Sequence, residues 1–189
     1  MLKRLILPLL VLCFSVSAHA QTIDINVNDN TAEVMVRAII TEEVYGYYEF
    51  NGRFLYSSDS RADNKLGSAG VDAFGEMDTV PGLELGVGAK LYGVRVEHND
   101  VLCLGLGAQF RYTAPTLSGF VFSGTVYYAP KVLSFLDGER LVETDIRVGY
   151  QIISNATVYI GYRNIRTHIE DSGKPLIGEG VHGGLEFRF

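Results

Sequence analysis

Apolar and polar residues alternate with a period of two along most of this chain. In the last segment Val181, Gly183, Leu185, Phe187 and Phe189 fall on one side of an extended strand, and His182, Gly184, Glu186 and Arg188 on the other. The same period predicts strands over Ile23–Val27, Glu33–Ile40, Tyr47–Tyr56, Ala69–Met77, Leu83–Leu91, Leu102–Tyr112, Phe120–Tyr128, Val142–Ile152, Val158–Arg163 and Val181–Phe189. The apolar face is nearly unbroken from strand to strand, and the opposite face carries most of the charge. A soluble sheet would bury that apolar face in one core. A sheet closed on itself in lipid presents it outward and keeps the charges in the lumen.

Ten strands make an even number, as single-chain bacterial membrane barrels require. Eight result if the first hairpin stays out of the wall. The connections sort by length, again as in such barrels. With the C-terminus periplasmic, the outer loops are Asn28–Asn30, Ser57–Gly67, Glu97–Asp100, Pro130–Arg140 and Glu170–Gly178. The inner turns are Thr41–Val44, Thr79–Gly82, Thr113–Thr116 and Ser154–Asn155. Pro81-Gly82 fits a type II turn. Outward aromatics fall near both rims: Tyr48, Tyr112, Tyr150 and Phe189 at the inner one, Tyr56, Tyr128 and Tyr162 at the outer. Two aromatic belts flanking an apolar band mark two lipid–water interfaces. The expected fold is all-β, a transmembrane antiparallel up-and-down β-barrel.

The first twenty residues change the cellular picture. Lys3 and Arg4 precede an apolar run from Leu5 to Val16, and Ala18-His19-Ala20 is a small-x-small cleavage site. Residues 1–20 are read as a signal peptide and 21–189 as the barrel, placed in the outer membrane of a Gram-negative bacterium. Composition agrees: 47% of residues are hydrophobic and mean hydropathy is positive, yet beyond the signal no apolar run is long enough for a membrane helix. Without Lys3 and Arg4 the 16 basic residues fall to 14, against 22 acidic ones. That balance, with no basic cluster, argues against nucleic acid as a partner. Beyond the signal Cys103 is the one cysteine, so no internal disulfide forms.

Candidate chemistry concentrates on the inward face. The lumen-lining candidates are Glu33, Arg37, Glu49, Arg53, Glu84, Lys90, Arg111, Glu143, Asp145, Arg147, Arg163, Glu186 and Arg188. Asp24, Asp72 and Glu76 are placed inward with them. Acids and bases nearly balance, which favours cross-lumen pairing, and arginine meets a carboxylate as a two-pronged fork. Ten strands sit near the size at which side chains fill the interior, far from the roughly 16 strands of open porins. Inward glycines such as Gly86, Gly88, Gly105 and Gly107 either leave a water-lined crevice or make room for long side chains. No catalytic, cofactor-binding or metal residues are assigned. His98, His168 and Ser172, with Glu170 and Asp171, lie in polar segments without an ordered base or oxyanion site. The apolar segment Pro130–Gly138 is expected to fold on the rim or cap the lumen.

Tyr127-Tyr128-Ala129-Pro130 followed by Leu133-Ser134, then Gly161-Tyr162-Arg163, then the ending Leu185-Glu186-Phe187-Arg188-Phe189, resemble the YfaZ family of small outer-membrane proteins. The resemblance runs through the chain after the signal and is strongest in its C-terminal half. It implies place and fold, a porin-like barrel, and transfers no catalytic residue. Phe187 and Phe189 resemble the C-terminal signal read by the barrel-assembly machinery. The expected function is a small porin-like or structural barrel with a largely charge-paired lumen, in contact with outer-membrane lipid and open to a small solute. A barrel binding through its outer loops is the alternative, and a lipid-modifying enzyme ranks third.

Overall fold

The structure is a computed structural model and describes residues 21–59, 62–96, 99–136, 138–169 and 176–189. The proposed signal, Glu97-His98 and residues 170–175 lie outside that description. The strands are β1 (Gln21–Val27), β2 (Thr31–Glu43), β3 (Gly46–Asp59), β4 (Ala62–Glu76), β5 (Leu83–Val96), β6 (Asn99–Thr113), β7 (Phe120–Ala129), β8 (Ser134–Leu136), β9 (Gly138–Ile153), β10 (Ala156–Ile169) and β11 (Leu176–Arg188). A 3-10 turn at Lys131–Leu133 separates β7 from β8.

Neighbours in sequence pair antiparallel, and β1 pairs with β11, so the sheet closes. Both β1 and β2 belong to the wall, which decides for ten strands over eight. The three-residue β8 adds no wall position. It takes over as the neighbour of β6 where β7 leaves off, pairing Cys103 with Ser134 and Leu102 with Phe135. The closing seam runs Thr22 opposite Arg188 through Val27 opposite Gly183. One end of the barrel carries both described chain ends and the short turns. The other carries the long hairpins. At the turn end Leu83 N–H donates to Val80 O at 3.1 Å and Gly82 has φ 82°, the type II turn that Pro81-Gly82 predicts.

Alternation translates directly into inside and outside. Val34, Val36, Phe50, Phe54, Val71, Val87, Leu91, Leu106, Ile146, Val148, Ile160 and Leu185 are exposed on the outer face. Asp24, Glu33, Glu49, Asp72, Asp145 and Arg163 are buried within. This apolar-out, charged-in wall is the transmembrane arrangement. Aromatics band its turn end, where Tyr112 stacks on Phe122 at 6.3 Å and Phe120 meets Tyr150 edge-on at 5.2 Å.

Several boundaries differ from the sequence reading, for one physical reason. A tilted strand crosses the hydrocarbon layer in about 9–11 residues. Here β4 and β6 have 15 residues and β9 has 16. The extra length leaves the lipid at the hairpin end, where both faces are polar and alternation disappears. Ser57–Gly67 therefore read as a loop, but its described residues, Ser57–Asp59 and Ala62–Gly67, form the ends of β3 and β4, paired through Ser57–Asn64 and Tyr56–Lys65. Asn99 and Asp100 likewise belong to β6. Pro130–Arg140 folds into the 3-10 turn, β8 and the start of β9. Its described residues extend the rim: Val132 is 83% exposed and Phe135 faces outward beside Leu102. β7 begins at Phe120 as predicted, and the connection after β6 covers residues 114–119, beyond the Thr113–Thr116 turn. Glu76 is exposed at the turn end and is not a lumen residue.

Candidate functional site

The lumen is layered. Nearest the turn end, Arg37 pairs with Glu186 across the closing seam. Arg188 reaches the same carboxylate at 3.5 Å and is half exposed. Opposite them Arg111 donates to Tyr47 Oη at 2.7 Å and lies 3.5 Å from Glu84 and 3.8 Å from Glu49. Tyr47 itself donates to Glu84 at 2.8 Å and stacks on Phe74.

The middle layers are drier and more tightly bonded. Arg53 grips Glu143 with both prongs, Nη1 to Oε1 at 2.5 Å and Nη2 to Oε2 at 2.9 Å. Tyr92 donates to the same carboxylate at 2.5 Å. Arg163 pairs with Glu33 at 2.8 Å and donates to Asn26 Oδ1 and Thr31 Oγ1. Arg147 holds Asp24 at 2.6 Å and forks onto Asp145 at 2.9 and 3.0 Å. Tyr159 donates to Asp24, and Tyr127 to Asp72, which also accepts from Asn51 at 2.6 Å. Pairing of this kind is what makes so many buried charges tolerable, since each ion would otherwise lose its hydration for nothing.

Lys90 differs from the other lumen cations. Its residue is 4% exposed, and instead of a close ion pair it has the Glu143 and Asp72 carboxylates acting on it through space. Its Nζ lies 4.0 Å from the centroid of the Tyr127 ring, a cation–π contact. His182 is also buried, its Nε2 3.7 Å from Asp145 Oδ2, with both ring nitrogens lacking a hydrogen bond.

Beyond the charges, toward the hairpin end, the interior turns apolar. Leu55, Leu66, Tyr92, Val94, Val101, Cys103, Tyr127, Ala129, Leu141 and Ile165 form one buried cluster fed by β3, β4, β5, β6, β7, β9 and β10. Thr31, Ser57, Thr167 and Arg163 are buried polar residues of β2, β3 and β10. The result is a seal built from wall side chains. Toward the turn end lies a cavity of about 130 Å³, lined by Arg37, Glu49, Asp72, Lys90, Arg111, Ser123, Thr125 and Arg147 among others.

The structure brings twelve of the thirteen sequence candidates into ion pairs with one another or with Asp24, and leaves Lys90 outside them. Sequence reading missed the apolar seal and the tyrosines that tie the charges together. Tyr92 and Val94 continue the parity of inward Lys90, so extending the β5 alternation by four residues finds them. Val101 likewise continues the parity of inward Cys103, whereas Leu66 sits in a segment read as polar and gave no such signal. Of the inward glycines Gly86, Gly88, Gly105 and Gly107, Gly88 makes room for the Asp72 carboxylate and the other three for rings. A Cβ on Gly86 would stand 2.7 Å from Phe74, on Gly107 2.4 Å from Tyr127, and on Gly105 2.9 Å from Tyr92. Of the enzyme candidates, His168 lies in β10 opposite Arg140, while His98, Ser172, Glu170 and Asp171 lie outside the described residues. Among the described residues no three His, Cys, Asp or Glu side chains are grouped to hold a metal.

No curated protein sequence matches the chain. Among solved structures it is similar to the KdgM porin in complex with disordered oligogalacturonate, at 11% identity and a TM-score of 0.48, covering 90% of this chain and 99% of that one. A second likeness is to OmpT, an outer membrane protein of Vibrio cholerae, at 12% identity and a TM-score of 0.39, covering 89% and 64%. A family model described as YfaZ precursor matches residues 2–189, and the chain belongs to that family.

Proposed function

We propose that this chain is an exported outer-membrane barrel, porin-like in form, whose lumen is closed at the hairpin end and accessible only from the turn end. With the short turns and the C-terminus on the periplasmic side, as is usual for such barrels, the vestibule opens to the periplasm and the hairpins reach the cell exterior. The observation that carries this reading is the seal: ten buried apolar side chains over a layer of bonded ion pairs. Its parts belong to wall strands held by ladder hydrogen bonds, so no loop can swing aside to open it. The partners are outer-membrane lipid along the apolar band and the assembly machinery during biogenesis, read through Phe187 and Phe189. No reaction is assigned, and nucleic acid is not a partner.

Planar-bilayer recording tests the closed lumen. Folded protein inserted from detergent should give a silent bilayer, with insertion checked by heat-modifiable mobility of the recovered protein. Discrete single-channel steps from the wild type would overturn the reading in favour of a narrow pore. Binding through the hairpin rim is a second reading, favoured by the exposure of Val132 and Phe135. Replacing both with Ser should then abolish surface binding while leaving the barrel folded.

A further inference from the structure

We infer that residues 131–136 form an interfacial anchor: Phe135 and Val132 lie in the headgroup layer of the outer leaflet, where lipid covers them. The inference rests on the transmembrane placement proposed above. It names lipid, in place of a soluble partner, as what meets the apolar part of the hairpin rim.

Register fixes how the strands tilt. One row of outward residues runs from β3 to β9 through Tyr48, Ala73, Val87, Ala108, Val126 and Thr144. Tyr48 belongs to the inner aromatic belt. On β9 the belt residue is Tyr150, six positions nearer the turn end than Thr144. Six residues span about 20 Å along a strand and five strand spacings about 24 Å across it, a tilt of about 40°. That lies within the roughly 35–45° of membrane barrels. Rows of paired residues therefore climb toward the hairpin end on passing from β3 to β9.

Heights follow from the tilt. On β6 the outward residues from Tyr112 to Leu102 are all apolar, Phe110, Ala108, Leu106 and Leu104 between them. Those ten residues rise about 26 Å at this tilt, beside an apolar band of about 25 Å. Leu102 thus marks the top of the band. Phe135 stands opposite it, one strand further along a climbing row, and so about 3 Å higher. The interface on each side of the hydrocarbon is roughly 5–7 Å deep, and Phe135 falls inside it. Aromatic rings favour that layer. Arg140, ten residues from Tyr150 on β9, is exposed at a similar height, as suits a layer into which long basic side chains reach. The detour at β7 supplies the anchor. β7 has 10 residues, while β6 and β9 beside it have 15 and 16. The chain leaves the wall after Ala129, turns through Lys131–Leu133 and returns as β8. It carries Val132 at 83% and Phe135 at 53% exposure, continuous with the lipid-facing column of β6. Lipid removes that apolar surface from water without any further partner.

The chain has no tryptophan, so a single introduced one reports from one place. Phe135→Trp, Val132→Trp and Leu106→Trp are each folded into phosphatidylcholine vesicles, with folding checked by heat-modifiable mobility. Leu106, outward within the band and 55% exposed, is the lipid reference. Emission is compared between plain vesicles and vesicles brominated near the headgroup end of the acyl chains, and again with iodide in the buffer. Phe135→Trp and Val132→Trp should lose emission to the brominated lipid, as Leu106→Trp does, and should lose less to iodide. Emission at either rim position that ignores bromine and is quenched by iodide would overturn the anchor. Should Phe135→Trp not fold, Val132→Trp decides, since a side chain so exposed leaves room for the larger ring. Bromine quenching at Leu106→Trp without quenching at the rim sinks this inference alone. Its absence at Leu106→Trp as well sinks the transmembrane placement on which the inference rests.

Discussion

Glu143 is the most heavily bonded carboxylate in the lumen, and replacing it by Leu should expose what the charge network contributes. The residue is 2% exposed and accepts three hydrogen bonds, two from Arg53 and one from Tyr92. Breaking a buried pair by removing one partner costs about 3–5 kcal/mol, mostly because the surviving charge is left without compensation. Glu33 remains 3.7 Å from Arg53 Nη1 and offsets part of that loss, which places Glu143→Leu near the lower bound, about 3 kcal/mol. Arg53→Met should cost a similar amount. The double variant removes both charges and keeps the volume, so it should lie within about 1 kcal/mol of wild type. The coupling energy of the cycle is then about 2–3 kcal/mol. Urea unfolding in lipid vesicles, followed by circular dichroism and tyrosine fluorescence since the chain has no tryptophan, measures all four species. At a typical slope of about 1–3 kcal/mol per molar, each single variant should lose roughly 1–3 M in midpoint. A Glu143→Leu midpoint matching wild type, or a double variant destabilised by the sum of the singles, would refute the view that this pair acts as a unit.

Other substitutions probe the remaining elements. Gly107→Ala should destabilise the barrel by about 1–3 kcal/mol, since its Cβ would stand 2.3 Å from Val126 O and 2.4 Å from the Tyr127 ring, whereas Gly67→Ala meets nothing within 4 Å and should be neutral in the same unfolding assay. Leu66→Ala combined with Tyr92→Ala empties much of the seal; bilayers carrying the folded variant should pass ions where wild type does not, and continued silence would place the barrier elsewhere. Deleting Phe189, which donates its N–H to Gln21 O at 2.8 Å and closes the seam, should lower the amount of assembled barrel in outer-membrane fractions more than Arg188→Ala does. Equal amounts of the two variants would make Phe189 an ordinary belt aromatic.

The membrane wall was legible in the sequence because lipid imposes a strict rule on every second residue. Val34 to Ile40, Leu83 to Leu91 and Val181 to Phe189 alternate through the apolar band, and that determined the barrel class, sidedness and most of the pool of lumen charges, whereas the choice of ten strands over eight came from the pairing of β1 and β2 into the wall. The rule lapses where lipid ends. The outer parts of β3 and β4 carry polar residues on both faces, so Ser57–Gly67 resembled a loop although its described residues, Ser57–Asp59 and Ala62–Gly67, are paired strand. Pairing also lay beyond reach. Arg53 and Glu143 are 90 residues apart, and Arg147 and Asp24 are 123. Only barrel closure and the shared register of strands on opposite walls set which arginine meets which carboxylate. The same closure decided that Leu55, Leu66, Val94, Val101, Leu141 and Ile165 meet in one buried cluster, and that Lys90 lies against the Tyr127 ring with Glu143 and Asp72 acting on it through space. Alternation tells each side chain which way to point. What it meets there is settled by the curvature that brings distant strands across a narrow lumen.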